Sequence, residues 1–464
     1  NGRIASCINT FYNRYSLSGR GTLVAVVDSG IDYTHPDFLQ PDGSTRIACL
    51  WDQTTNIVYN AADINDILSS DTASLQNIVY SLDPSGHGTH AAGIAAGNGA
   101  ASQGIYRGIA YEASLLVVKL APRSPLGFPQ TTQIMEAVDF CIRKSIELKM
   151  PVSINLSLGN TYGSHSGTSL LETYLNDVQG VYKTNIIVGS GNEGSSNGHT
   201  GGLLTNRNET IELSIGDFTP NLTIQLWKKY WDTVAITIEA PSGQSARLDL
   251  STGVQRLNLD SASLYITNSP PSPYSIFEET YIDMLPTASY VSSGVWKIIL
   301  SPIQIKDGQF DLWLPSATAR NASTGFLASL PETTLTIPST ACKVITVGAY
   351  NSYSDTLAAF SGRGFTWSTD FKKPDLVAPG VDIISCAAGG GYSSKTGTSM
   401  AAPFVTGACA LLMEWGIVRE NNPYMYGERI KAALIQGTRR LPFMSTLPSP
   451  EAGWGALCLD FLLE

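Results

Sequence analysis

Short, apolar, β-prone runs at 23–27, 115–120, 152–158 and 185–188 alternate with stretches of helical periodicity through the first part of the chain. Between two of them Ile134, Val138, Cys141, Ile142 and Ile146 recur at the spacing that puts one apolar stripe on a helix. Runs apolar over several residues suit strands buried on both faces, and parallel sheets bury their strands that way. The alternation therefore predicts an α/β fold, a parallel sheet covered by helices. In such sheets the reactive crevice lies outside the carboxyl ends of the strands. That is where chemistry-bearing residues are to be sought.

Asp28 stands at the carboxyl end of the run 23–27, inside Val24-Ala25-Val26-Val27-Asp28-Ser29-Gly30. A carboxylate held there can orient an imidazole and stabilise its charged form; an Asp in this position can also do no more than cap a turn. The segment Gly86-His87-Gly88-Thr89-His90 carries two of the chain's five histidines. His87 is the candidate general base beside such a carboxylate. The pair His87 and His90 could also ligate a metal, but no Glu lies between them as in the helical zinc motif. Gly397-Thr398-Ser399-Met400-Ala401-Ala402-Pro403 precedes an apolar helical run at 404–415. This places Ser399 at a helix N-terminus, where free N–H groups favour negative charge. A serine attacking a carbonyl needs that setting, because the attacked oxygen becomes an anion. The same small residues can serve close helix packing alone.

Taken together, the three motifs resemble those of the subtilisin-like serine proteases, in that family's order Asp, His, Ser. The resemblance implies that Asp28 orients His87, that His87 takes the Ser399 proton, and that Ser399 attacks a peptide carbonyl. Asn192, in Gly189-Ser190-Gly191-Asn192-Glu193-Gly194, matches the family's oxyanion asparagine, although Asn beside Gly is also a common turn residue. Ser157-Leu158-Gly159 matches the element that pairs with an extended substrate backbone, a form of β-addition. Gly189 and Ser190 would line the first specificity pocket, whose base the sequence does not locate. Asp37 matches a position that ligates calcium in many subtilases. A shell of six to eight oxygens is not legible around it, and the acidic excursion with Asp63, Asp66 and Asp71 reads as surface. No metal or cofactor is expected.

The formal charge of −10, from 29 basic and 39 acidic residues, and the lack of a basic run argue against nucleic acid as a partner. No apolar stretch reads as a membrane span. The expected partners are a peptide or protein substrate and the chain's own cleaved N-terminal propeptide. The family is made with such a leader, and Asn1 reads as the product of its removal. The seven cysteines, at 7, 49, 141, 342, 386, 409 and 458, are odd in number and scattered, so no disulfide framework is expected. Cys141 and Cys409 sit in apolar runs and read as core.

From about 209 to 315 the helical periodicity disappears. Short β-prone stretches at 210–215, 222–227, 233–238, 264–267, 294–300 and 310–314 are punctuated by Pro, Asn, Ser and Gly, including the proline-rich run at 270–273. That pattern predicts a β-sandwich or jelly roll, whose aromatics Trp227, Tyr230, Trp231 and Tyr274 are expected in its core, with sugar stacking as the rival role. The expected division is a catalytic first part at 1–200, an inserted all-β domain at 201–333 and a catalytic second part at 334–464. An insert placed between Asn192 and Ser399 is similar to the arrangement of clostridial Csp-type subtilases. That group includes spore germination proteases that activate a cortex-hydrolase precursor, which implies an extracytoplasmic or spore-associated bacterial enzyme. The competing expectation is a subtilase scaffold, silent or blocked by its propeptide, that acts by binding.

Overall fold

The computed structural model describes residues 2–70, 82–121, 128–250, 253–269, 275–364 and 372–460. Asp71, the run at 270–273 and Tyr274 lie outside them. The apolar runs form the strands β1 (Leu23–Asp28), β2 (Ile47–Asp52), β3 (Ile57–Asn60), β4 (Ser114–Lys119), β5 (Val152–Leu156) and β6 (Thr184–Gly189). They belong to a nine-stranded sheet in the order β3-β2-β4-β1-β5-β6, followed by Ile345–Asn351, with which Thr356–Leu357 and Leu376–Pro379 both pair. Pairing is parallel from β2 through to Ile345–Asn351 and antiparallel at β3.

Successive residues of β1 enter opposite cores, as a strand's two-residue period requires. Val24 and Val26 pack with Ala91, Ala95, Val405 and Leu411 on one face. Leu23, Ala25 and Val27 pack with Ile134, Val138 and Cys141 on the other. Each buried Val, Leu or Ile side chain among these contributes about 1.5–3 kcal/mol relative to exposure. This is the parallel, helix-covered architecture that the alternation predicts.

The helical stretch Thr398–Val418 is long and apolar enough to cross a bilayer by length and composition, a property the sequence reading did not count. Within the fold 83% of its most apolar window is buried. A helix apolar all round is one surrounded on all sides, and here it lies against the sheet and the helix His87–Ala96.

Two further antiparallel sheets are built from strands between His199 and Phe326. One has five strands and the other six, and Ile, Leu and Val with Trp296, Phe310 and Phe326 fill the space between them. The expected strands at 210–215, 222–227, 233–238, 264–267, 294–300 and 310–314 are all present. The aromatic expectation is corrected. Trp227 and Trp231 are half-buried, Tyr230 is 50% exposed, and none of the three belongs to the sandwich core. Strand alternation is the cause: Leu222, Ile224 and Leu226 point inward, which turns Thr223, Gln225 and Trp227 to the outer face. Part of that face packs on the α/β body, where the Gln225 carboxamide accepts from the Gly163 N–H at 2.9 Å.

The cysteine expectation is also amended, because Cys7 and Cys458 form a disulfide across 451 residues of chain. It ties the helix Ile8–Tyr15 to the last described segment, beside the bond from the Leu459 N–H to the Ser6 carbonyl. The other five cysteines are free thiols, and Cys141 and Cys409 are buried.

Candidate active site

Asp28 ends β1 at the crevice, as its place in the apolar run requires. Its Oδ1 accepts from the Ser29 N–H at 2.7 Å, from the Ser29 hydroxyl at 3.1 Å and from His87 Nδ1 at 2.7 Å. His87 opens the helix His87–Ala96. Gly88 follows it because a Cβ there would stand 2.2 Å from the Gly30 carbonyl; a side chain would push the helix start off the β1 turn. The Asp28 charge, opposed by burial, raises the His87 pKa above its ordinary value. With Nδ1 donating to Asp28, neutral His87 presents a lone pair on Nε2.

Ser399 is the second residue of the helix Thr398–Met413. Its backbone N–H is among the groups a helix start leaves without a partner. Pro403, four residues on, has no N–H to close the turn on the Ser399 carbonyl. That carbonyl accepts from the Ser157 hydroxyl instead, at 3.0 Å, and the Ser399 hydroxyl donates to the Ser157 carbonyl at 3.2 Å. Among the described residues no hydrogen bond joins His87 to Ser399.

Asn192 follows β6 in a turn where Gly191 has φ 94°. Its Oδ1 accepts from the Thr398 N–H at 3.0 Å and the Thr398 hydroxyl at 3.1 Å. The acceptor side of the amide is thus used up on the Ser399 helix, and its N–H₂ group remains as a donor beside the Ser399 N–H. Ser157, Leu158, Gly159 and Gly189 line a cleft of about 300 Å³ with Asn192 and Ser399. Ser190 does not line it: its side chain is fully buried and its hydroxyl faces Ser361 at 3.5 Å. It serves the wall through its backbone, whose carbonyl accepts from Thr336 N–H at 3.0 Å.

Two residues that the motif reading passed over belong to the site. Asp83 is 2% exposed. It accepts from the Ser29 and Ser85 hydroxyls at 2.8 and 3.0 Å, the Gly86 N–H at 3.0 Å, and the Thr89 N–H and hydroxyl at 2.8 Å each. It therefore caps the His87 helix and, through Ser29, touches the Asp28 turn. Asp83 lies three residues before the N-cap Gly86, so the usual N-cap position does not mark it in the sequence. Thr336 is the floor of the cleft. A Cβ on Gly159 would lie 2.3 Å from its Oγ1 and one on Gly191 2.4 Å from its Cγ2; those glycines are where the walls close on it. No local signal marks Thr336, since it reaches the cleft only after the inserted sheets.

His90 is turned away from His87, with Nε2 on the Ser393 carbonyl at 3.1 Å, and burial lowers its pKa to about 4. Asp37 is fully buried. Its carboxylate accepts from the Ala101 N–H at 2.9 Å, from the Tyr392 hydroxyl on both oxygens at 3.0 and 2.9 Å, and from the Cys386 thiol at 3.4 Å. A ring of donors aimed at a carboxylate is the inverse of the oxygen cage that calcium requires, so the residues at this position do not fit that ion.

The chain matches the subtilase family over residues 19–269 and 321–455. It belongs to the subtilase family. A solved structure of the Clostridium perfringens CspB protease superposes with a TM-score of 0.94 at 40% identity, covering 100% of this chain and 96% of that one. The PIII-type proteinase of Lactococcus lactis subsp. cremoris (strain SK11) is 26% identical over 95% of this chain, and the minor extracellular protease Vpr of Bacillus subtilis (strain 168) 23% identical over 90%. This subtilase chain spans 24% and 48% of the length of those two relatives.

Proposed function

We propose that this protein is a serine endopeptidase in which Ser399 is the nucleophile, His87 the general base and acid, Asp28 the orienting carboxylate and Asn192 the oxyanion donor. The observations that carry the reading are the 2.7 Å bond from His87 Nδ1 to Asp28 and a serine whose helix start is locked to Asn192 through Thr398. His87 Nε2 takes the Ser399 proton as Oγ bonds to the scissile carbon. The carbonyl electron pair moves onto oxygen, between the Asn192 amide and the Ser399 N–H. Collapse expels the amine, which leaves with the proton from His87, and water then hydrolyses the acyl-enzyme by the same route in reverse. The extended substrate lies along Ser157-Leu158-Gly159. Likeness to the CspB protease over the full chain supports proteolysis, and the resemblance of the chain's arrangement to Csp-type subtilases is the ground on which we propose limited cleavage of a precursor protein as the biological task.

The test is intact-mass analysis after incubation with a fluorophosphonate. A single adduct on the wild type, lost in Ser399→Ala, is expected. The Ser399 hydroxyl bonds Ser157 rather than His87, and this favours a second reading, a latent or scaffold subtilase. A folded wild type that takes no adduct would select that reading.

A further inference from the structure

The outer face of the six-stranded sheet is covered only in part by the α/β body. Thr223 and Gln225 are buried there, and Gln225 holds the Gly163 N–H at 2.9 Å. The next strand, Phe277–Pro286, is in register so that Glu279 stands opposite Trp227, Tyr281 opposite Gln225 and Asp283 opposite Thr223. Trp227, Glu279, Tyr281 and Asp283 are all half-buried on that face. Two carboxyls thus lie among aromatic rings, and Tyr162 of the body, 41% exposed, brings a third ring beside Tyr281 and Asp283. Among the described residues neither carboxyl is paired with a cation. Glu279 makes no hydrogen bond there, and Asp283 takes the Thr223 hydroxyl at 3.4 Å. Burial pushes the Glu279 pKa up to about 7, and burial, opposed by Thr223, raises that of Asp283. The basic residues of these strands are engaged elsewhere: Lys228 with Glu278, Lys229 with Asp307 at 2.6 Å, and Arg256 over the Tyr265 ring at 5.5 Å. Poorly hydrated carboxyls beside ring faces suit an ammonium or guanidinium, which charge and cation–π contact hold together. The face also lies close to the cleft: Tyr162 is three residues beyond Gly159, the end of the element expected to pair with substrate, a reach of about 10 Å at most.

We infer that this face is a docking surface for a basic segment of the protein substrate, remote from the scissile bond, with Glu279 and Asp283 as its charged members and Trp227, Tyr281 and Tyr162 as its rings. The inference rests on Ser399 being the nucleophile. The face touches no reacting atom, so it acts on KM and leaves kcat alone. The overall charge of −10 attracts any cation at long range, and the test has to tell that attraction from the two local carboxyls.

The experiment compares fluorogenic peptides that share one cleavage sequence and differ in a flexible extension, lysine-rich in one member of a pair and glutamine-rich in the other. One pair carries the extension before the cleavage sequence and a second pair after it. In at least one pair the wild type is expected to show a KM about fivefold to tenfold lower for the lysine member, at equal kcat. High salt should shrink that difference. Glu279→Gln with Asp283→Asn keeps the side-chain shapes and removes two half-buried charges, so it should fold as well as the wild type, and it should abolish the difference. Glu209→Gln with Glu212→Gln, at exposed positions of the five-stranded sheet, removes the same charge and should leave the difference in place. Equal KM for the two members of both pairs, a difference that the Glu279 and Asp283 variant retains, or one that the Glu209 and Glu212 variant abolishes would overturn the inference. Fluorophosphonate labelling separates the two levels: a labelled enzyme without the KM difference rejects the docking face alone, and an unlabelled one rejects the nucleophile and the inference with it.

Discussion

Replacing Asp83 by Asn tests whether the His87 helix start is held electrostatically or merely packed. The carboxylate receives five hydrogen bonds, three on Oδ1 and two on Oδ2. An amide offers one oxygen. Placed toward Ser29, Ser85 and Gly86, it aims its N–H₂ at the Thr89 N–H, leaving a buried donor without an acceptor at about 1–3 kcal/mol. The bonds that remain lose the added strength of a charged acceptor. The expected loss is about 2–4 kcal/mol at neutral pH. Burial pushes the Asp83 pKa up, but the bonds from Thr89, Ser29 and Ser85 outweigh it and hold it below the usual carboxylate range. A depressed pKa contributes stability that is present above the unfolded value of about 3.9 and is lost as pH falls through the folded value. The gap between wild type and Asp83→Asn, read from urea midpoints, should therefore be full at pH 7 and shrink in acid. Around His87 the nearby charges are Asp28, Lys395 and Asp83, and Asp83 is among those that raise its pKa. Its removal should move the acid limb of the kcat/KM profile to lower pH. A stability gap that does not change with pH, together with an unmoved acid limb, would refute the assignment.

Asn192→Leu removes the proposed oxyanion donor. It should lower kcat by about 10²–10³, the loss measured for such a donor in subtilisin itself, with little change in KM; steady-state kinetics decide it. Because the Asp28 charge raises the His87 pKa and only neutral imidazole can take the serine proton, kcat/KM should rise with pH about a midpoint above 6.5, the ordinary histidine value. Asp375→Asn takes the carboxylate from between Lys373 at 2.6 Å and Lys431 at 3.0 Å. It should cost about 3–5 kcal/mol by leaving buried ammonium groups unpaired, seen as a lower denaturation midpoint. Cys7→Ser with Cys458→Ser releases the chain ends and should cost about 2–5 kcal/mol, measured against the wild type with and without reductant.

The parallel strands and the positions of Asp28, His87, Asn192 and Ser399 were legible because each rests on a local pattern: an apolar run ending in a carboxylate, or small residues opening a helix. Thr336 was not, because its role depends on Gly159 and Gly191 meeting it from two distant segments. The Cys7–Cys458 bond was hidden for the same reason. In the inserted sheets the strand Phe277–Pro286 escaped notice because Glu278, Glu279 and Asp283 break its apolar character. Its inward residues are only Thr280, Ile282 and Met284. Trp227 was misplaced for a different reason. Aromatic content says that a side chain is large and apolar, but the two-residue period of its own strand decides which face it takes.

The segment that carries the two antiparallel sheets leaves and rejoins the α/β body beside the cleft that Ser399 lines. The chain departs immediately after Asn192 and Glu193, crosses to the sheets at His199, passes back beside the cleft at Ser316 and Thr318, and returns to the body through Thr336 and Ile337, which bridges to Asn160. The junction is rigid. Trp313 stacks between His165 of the body and His199 of the insert at centroid distances of 4.1 and 5.0 Å, and its indole N–H donates to the Thr333 carbonyl at 3.1 Å. No described hydrogen bond to the side chains of Asp28 or His87 comes from residues 193–336. Repacking the outer face of the six-stranded sheet should thus alter which substrates are cut well before it alters the reactivity of Ser399 toward a fluorophosphonate. The two would fall together only if the Trp313 stack also held the Asn192 turn, and Trp313→Phe, which keeps the ring and loses the indole N–H, separates those cases.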